Sequence, residues 1–201
     1  MNTKLKILNS ALNLFSSKGY NAVSVRAIAS EVGIKASSLY NHFQSKQDIL
    51  DELINVNIKY IRDFFKEMCM KDEINFKKYL NPESFNNTFI DSSLQIIKFF
   101  LENSNIVKFR KLLAIEQFSN PKLSYLYQKL FISDILEYGS NLFTYLMKNN
   151  ILIEADPYIL SLQFYSPIFL LLYSGNKIKM DDYINVEKHI FQFKDTYSLK
   201  G

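Results

Sequence analysis

The stretch SVRAIASEVGIKASSLYNHFQSK, residues 24–46, decides how this chain is read. Ser24 is a preferred N-cap type. Val25, Ile28, Ala29 and Val32 follow at helical spacing before Gly33, which suits the left-handed close of a helix. A second, shorter helix is predicted over about 36–43. Ala29 is small where two helices must cross closely, Gly33 permits the sharp turn, and Ile34 and Leu39 fill the angle between them. These demands, met together, separate a helix-turn-helix from two arbitrary helices. With Leu39 and Phe43 turned inward, the second helix presents Lys35, Ala36, Ser37, Ser38, Tyr40 and Asn41 outward. That polar, uncrowded face suits a DNA major groove about 12 Å wide. Ser24 and Arg26 stand at the preceding helix N-terminus, where backbone N–H groups attract phosphate, and His42 and Lys46 can reach a phosphate on the far side.

Upstream, a helix over about 3–18 carries Leu8, Ala11, Leu12 and Phe15 on one stripe and ends at Gly19. Downstream, Ser45 with Asp48 three residues on opens a long fourth helix, with Ile54, Ile58, Ile61, Phe65 and Met68 along one side. Pro82, Pro121 and Pro157 each follow Asn or Asp and mark three more helix starts. Further helices are predicted over about 73–79, 83–102, 106–118, 121–148, 157–174 and 181–197, with Pro167 inside the second last. Only 5 Gly and 4 Pro are present in 201 residues, too few for the turns of a β protein, so the expected class is all-α. A three-helix head over 1–46 leads through the long helix, with no flexible linker, into a helical body over 47–201.

Charge divides along the same line. The first fifty residues hold Lys4, Lys6, Lys18, Arg26, Lys35 and Lys46 against Glu31 and Asp48, while the remainder carries 18 residues of each sign. The whole net charge of +4 therefore sits in the head, as it does where an anion meets one end of a molecule. Cys69 is the single cysteine and reads as a small packing residue in a reducing compartment. His42 and His189 lie far apart, so no zinc site and no cofactor are expected. The N-terminus lacks a signal-peptide core, and Gln163, Ser166 and Pro167 break the most apolar run, which points to a soluble cytoplasmic protein without a membrane span.

The pattern VSVRAIASEVGIKASSLYNHFQSKQDIL, with Ala29, Gly33, Leu39, Tyr40, Phe43 and Lys46, preceded by LFSSKGY, resembles the TetR-type transcriptional regulators. The resemblance covers about a quarter of the chain. It implies a homodimer whose heads bind adjacent half-sites of a palindromic double-stranded DNA and whose bodies bind a small effector that alters DNA affinity. It implies phosphate contacts at Ser24, Tyr40, His42 and Lys46, and base contacts at Ala36, Ser37 and Asn41. One departure stands out: Lys35 occupies the position where such proteins commonly place a Ser or Thr cap.

In the body, the resemblance and the polar pair Glu116 and Gln117 on an apolar helix point to an effector cavity. Candidate lining residues are Ile61, Phe64, Phe65, Phe99, Phe109, Leu113, Glu116, Gln117, Tyr125 and Phe164, for a mostly apolar or aromatic ligand. An effector touching Ile61, Phe64 or Phe65 can tilt the heads. The run YILSLQFYSPIFLLLYS is apolar on nearly every face and, with NVEKHIFQFKDTY, suits a dimer interface through Phe164, Ile168, Leu171, Leu172, Ile190 and Phe191. The alternatives are a body that binds a protein partner and an all-α enzyme or carrier. Against the last, the sequence shows no Ser/His/Asp spacing, carboxylate pair, phosphate-binding Gly-rich loop or metal cluster, so an enzyme is not expected.

Overall fold

A computed structural model of the chain describes residues 2–68, 76–80, 82–174 and 179–199. Cys69 and the first three residues of the helix expected over 73–79 lie outside the described residues, and its described remainder closes in a short 3-10 turn at Lys77–Tyr79. The fold is all-α: the described residues form no strand, only an isolated antiparallel bridge between Leu152 and Ser198. No helix among them is long and apolar enough to cross a membrane. By packing, the chain forms two compact units, one of residues 1–64 with 104–127, the other of residues 65–103 with 128–201.

In the first unit, α1 (Thr3–Lys18) starts at Asn2, whose side chain accepts the Lys4 N–H at 3.0 Å, and buries Ile7, Leu8, Ala11, Leu12 and Phe15. α2 (Val25–Val32) starts as expected at Ser24, whose Oγ accepts the Ala27 N–H at 3.1 Å, and closes at Gly33 in the left-handed conformation, φ 76°. α3 is regular only over Ala36–Leu39. Lys35 sits at its N-cap without a side-chain cap bond, and the chain then continues in tight turns, with His42 N–H donating to the Leu39 carbonyl. The helix expected to reach Phe43 is thus halved, because an uncapped start followed by Ser37, Ser38 and Asn41 lacks the residues that favour helix. At the start of α4 (Lys46–Glu67), Ser45 Oγ accepts the Asp48 N–H, and Asp48 Oδ2 accepts the Gln44 N–H just before the cap. α6 (Ser104–Glu116), which follows α5 (Pro82–Glu102) of the second unit, packs on α1 and buries Ile106, Phe109, Leu112 and Leu113. α7 (Pro121–Gln128) begins at Asn120, whose side chain accepts the Leu123 N–H.

The second unit gathers α5, α8 (Asp134–Lys148), α9 (Pro157–Tyr173) and α10 (Met180–Tyr197). Helical turns run unbroken from Pro121 to Lys148, as expected, but Lys129–Ser133 is a widened π segment, and the Tyr165 hydroxyl donates to the Phe131 carbonyl inside it at 2.7 Å. Asp156 caps α9 by accepting the Tyr158 and Ile159 N–H groups, with Pro157 at the first position. α8 and α9 approach closely at Gly139, where an added Cβ would lie 2.3 Å from Ser161 Oγ. Phe143, Phe164 and Phe193 cluster with ring centroids 5.0 to 6.0 Å apart, and His189 Nε2 donates to the Phe164 carbonyl at 2.9 Å, joining α10 to α9.

The candidate DNA-binding head and a cavity in the body

The face anticipated on the head is built on a dry foundation. Leu39 and Phe43 are 0% and 2% exposed, and Val23, Ile28 and Ala29 are buried with them. This anchors the short α3 by its apolar side and leaves its polar side in solvent. Lys35, Ser37, Tyr40, Asn41 and His42 are exposed, with Ser24 and Arg26 exposed beside them; Ala36 and Ser38 are half-buried. Tyr40, at 54% exposure, leaves much of a large ring uncovered next to a basic face.

Lys46 is half-buried, and its ammonium donates to the Tyr20 carbonyl at 3.0 Å and the Val23 carbonyl at 2.9 Å, lying 4.2 Å from the Tyr20 ring centre. It thereby holds the loop that delivers Ser24 to the start of α2. The same loop is gripped from α6, where the buried Glu116 accepts the Tyr20 N–H at 2.7 Å. Burial, then the nearby carboxylates of Asp51 and Glu116, raise the Tyr20 hydroxyl above its ordinary range. Lys4 pairs with Glu52 at 2.8 Å, so it and Lys46 spend their charge partly within the protein.

A cavity of about 80 Å³ lies inside the second unit. Three helix faces line it, each at helical spacing. α5 contributes Phe89, Ser92, Ser93, Ile96, Ile97 and Phe100; α8 contributes Ile135, Tyr138, Gly139, Leu142 and Phe143; α9 contributes Ser161, Phe164, Tyr165, Ile168 and Leu172. Tyr79 completes the wall. Its apolar wall with a few hydroxyls has the character of a small-molecule site.

Of the ten residues put forward for an effector, only Phe164 is in this wall. Phe65 and Phe99 stand one layer out, their ring centres 6.1 and 5.2 Å from that of Phe100. Ile61, Phe109, Leu113 and Glu116 are buried packing residues of the first unit, with Phe64 and Gln117 half-buried and Tyr125 at 64% exposure. Of the interface candidates, Ile168, Leu172 and Ile190 are buried within the protomer, Phe164 and Leu171 are half-buried, and Phe191 is exposed. The apolar groups that α9 turns to solvent are Tyr158, Ile159, Leu162, Leu170 and Tyr173.

With this geometry in view, the family described as "Bacterial regulatory proteins, tetR family" matches residues 7–53, from the middle of α1 through the first turns of α4. The biofilm operon icaADBC HTH-type negative transcriptional regulator IcaR of Staphylococcus aureus (strain Newman) is 40% identical over 60 residues. The head of this chain is thus similar to the tetR family. The IcaR match covers 30% of this chain and 32% of that protein, about a third of its length. For the fold, a putative TetR-family regulator from Mesorhizobium loti superposes with a TM-score of 0.68 at 16% identity, covering 98% of this chain and 97% of that one. The triclosan complex of SmeT, the repressor of the Stenotrophomonas maltophilia efflux pump SmeDEF, gives 0.64 at 17% identity, covering 100% and 94%.

The tetR-type head was legible as a motif, whereas the cavity wall was missed. The signal available was the set Ser92, Ser93, Gly139 and Ser161: small residues interrupting apolar stripes at inward positions, where a filled core calls for bulk.

Proposed function

We propose that this chain is a homodimeric, sequence-specific DNA-binding transcriptional regulator, a repressor whose operator affinity is changed by a small, mostly apolar or aromatic effector held in the body cavity. Residues 1–46 read DNA and the body carries the effector and the dimer contact. No catalytic role is assigned to it. The observation that carries the reading is the exposed polar face of Lys35, Ser37, Tyr40, Asn41 and His42, mounted on fully buried Leu39 and Phe43 beside the capped N-terminus of α2. In it, Ser24, Tyr40, His42 and Lys46 hold phosphates, with Arg26 alongside, and Lys35, Ala36, Ser37, Ser38 and Asn41 meet the bases. A negative regulator as a relative of the head, and a ligand complex in a protein of the same fold, support repressor and effector roles.

The exposed apolar side chains Ile159, Leu162, Leu170 and Tyr173 of α9, with Ile184 and Phe191 of α10, are the surface for the second copy. Effector occupancy acts on the head through Phe100, a wall residue, and Phe65 near the end of α4, whose rings are 6.1 Å apart. Selection of bound sequences from random duplex DNA tests the whole reading. A palindrome with half-sites a helical turn or more apart is expected, and the absence of any enriched symmetric motif refutes it.

A further inference from the structure

We infer that the body cavity takes an uncharged, largely apolar molecule bearing one hydrogen-bonding oxygen, received by the hydroxyl of Tyr138. This rests on the cavity being the effector site, and it narrows which effectors that site admits. Among the described residues lining the cavity there is no Asp, Glu, Lys, Arg or His. A carboxylate or ammonium placed there would leave water without a counter-charge, a loss that the apolar contacts of a small ligand do not recover. Nor do the rings form an open cage for a cation. Phe89, Phe143 and Phe164 pack on one another with centroids 5.4 to 6.5 Å apart, so they fill the wall and do not surround a vacant centre.

The polar side of the wall is equally selective. Two of its hydroxyls are committed to the protein: Ser161 Oγ donates to the Leu136 carbonyl at 2.9 Å and Tyr165 Oη to the Phe131 carbonyl at 2.7 Å. Tyr138 Oη is buried and closes no well-formed hydrogen bond. Burial, with Tyr79 beside it acting in the same direction, raises this phenol far above its ordinary range and keeps it a neutral donor. Its ring is fixed edge-on against Phe76, centroids 5.6 Å apart, so the donor is held in place before a ligand arrives. A buried donor whose contact with its neighbour Tyr79 is not a well-formed hydrogen bond costs free energy until a better acceptor arrives. A ligand oxygen gains that difference and a hydrocarbon does not.

The test is calorimetry on the full chain with four molecules of one shape: 4-hexylphenol, hexylbenzene, 4-hexylbenzoate and (4-hexylphenyl)trimethylammonium. The phenol should bind about five- to tenfold tighter than the hydrocarbon, the net worth of one hydrogen bond, and more than about tenfold tighter than either ion. Tyr138→Phe keeps the ring, removes the hydroxyl and should reduce the phenol's advantage over hexylbenzene to within about twofold, with thermal unfolding confirming an intact fold. An ion binding as tightly as the phenol, or a preference that survives Tyr138→Phe, overturns the inference while leaving the cavity a ligand site. If none of the four binds or shifts the melting temperature, the effector reading falls and the inference with it.

Discussion

The carboxylate of Glu116, at the end of α6, accepts the backbone N–H of Tyr20 at 2.7 Å from ninety-six residues away, in the loop between the first two helices of the head. Glu116 is only 5% exposed, and Gly19 next to Tyr20 has φ +79° with room for a Cβ only 3.1 Å from the same oxygen. Conformation and clearance both demand glycine there. Glu116→Ala is expected to cost about 1–3 kcal/mol, the price of stranding a donor that had a charged acceptor, and to speed hydrogen exchange at the Tyr20 amide. Glu116→Gln keeps an acceptor oxygen and should lose less. Unchanged exchange at Tyr20 in the alanine variant would show that something else fixes the loop.

Lys46 is bonded to the other side of that loop, through the Tyr20 and Val23 carbonyls. An ammonium has three donors, so one remains for a phosphate. In Lys46→Ala the log–log salt slope of operator binding should fall by about 0.9 with base preference unchanged, because a phosphate contact carries affinity without sequence information. Asn41→Ala should do the reverse, relaxing preference at one base pair by about 1–3 kcal/mol with the slope intact. Binding isotherms at several salt concentrations on matched and mismatched operators separate the two.

How much of this was legible follows from how local each feature is. Ser24, Gly33 and Asp156 announce their helix ends through bonds to residues two to four positions away, Pro157 through its fixed backbone angle, and the boundaries came out within two residues. Lys35 stands where a cap was expected, yet α3 starts at Ala36 as read and instead ends early, at Leu39 and not Phe43. The cavity depends on three faces meeting from distant parts of the chain. An apolar stripe such as Phe109 and Leu113 on α6 looks the same as Ile96 and Phe100 on α5, since the stripe records that a face is buried and not whether it meets side chains or space.

Gly139 and Ser161 make a converse prediction to the one at Gly33. At Gly33 an added Cβ meets nothing within 4 Å, so Gly33→Ala should cost only the left-handed conformation, about 1–2 kcal/mol. At Gly139 the helix is ordinary, but a Cβ would lie 2.3 Å from Ser161 Oγ and 3.1 Å from Ser161 Cβ. Gly139→Ala should therefore cost about 1–3 kcal/mol by overpacking, in spite of alanine's better helix propensity. Ser161→Ala in the same chain should return part of that loss. A double-mutant cycle by denaturant unfolding measures the coupling, and strict additivity would show that the helices adjust freely at this crossing.

Asp51 on α4 and Lys122 on α7 predict a pH dependence within the first unit. Their ion pair is 2.7 Å long, and the hydrogen bond from Lys122, aided by Gln47 and opposed by slight burial, holds the Asp51 carboxyl below its ordinary value of 3.8. A depressed folded value means that the pair stabilises the native state above the unfolded value and loses that contribution as pH falls through the folded one. The stability gap between the protein and Lys122→Met should accordingly be absent near about pH 2 and reach its plateau above about pH 5. With side-chain exposures of 63% and 41%, that plateau should be small and should shrink further in high salt. A carbon-detected NMR titration gives the sharper reading, because removing Lys122 should move the Asp51 midpoint up toward 3.8. A midpoint that stays put would assign the shift to Gln47, whose Nε2 donates to the same oxygen at 3.2 Å.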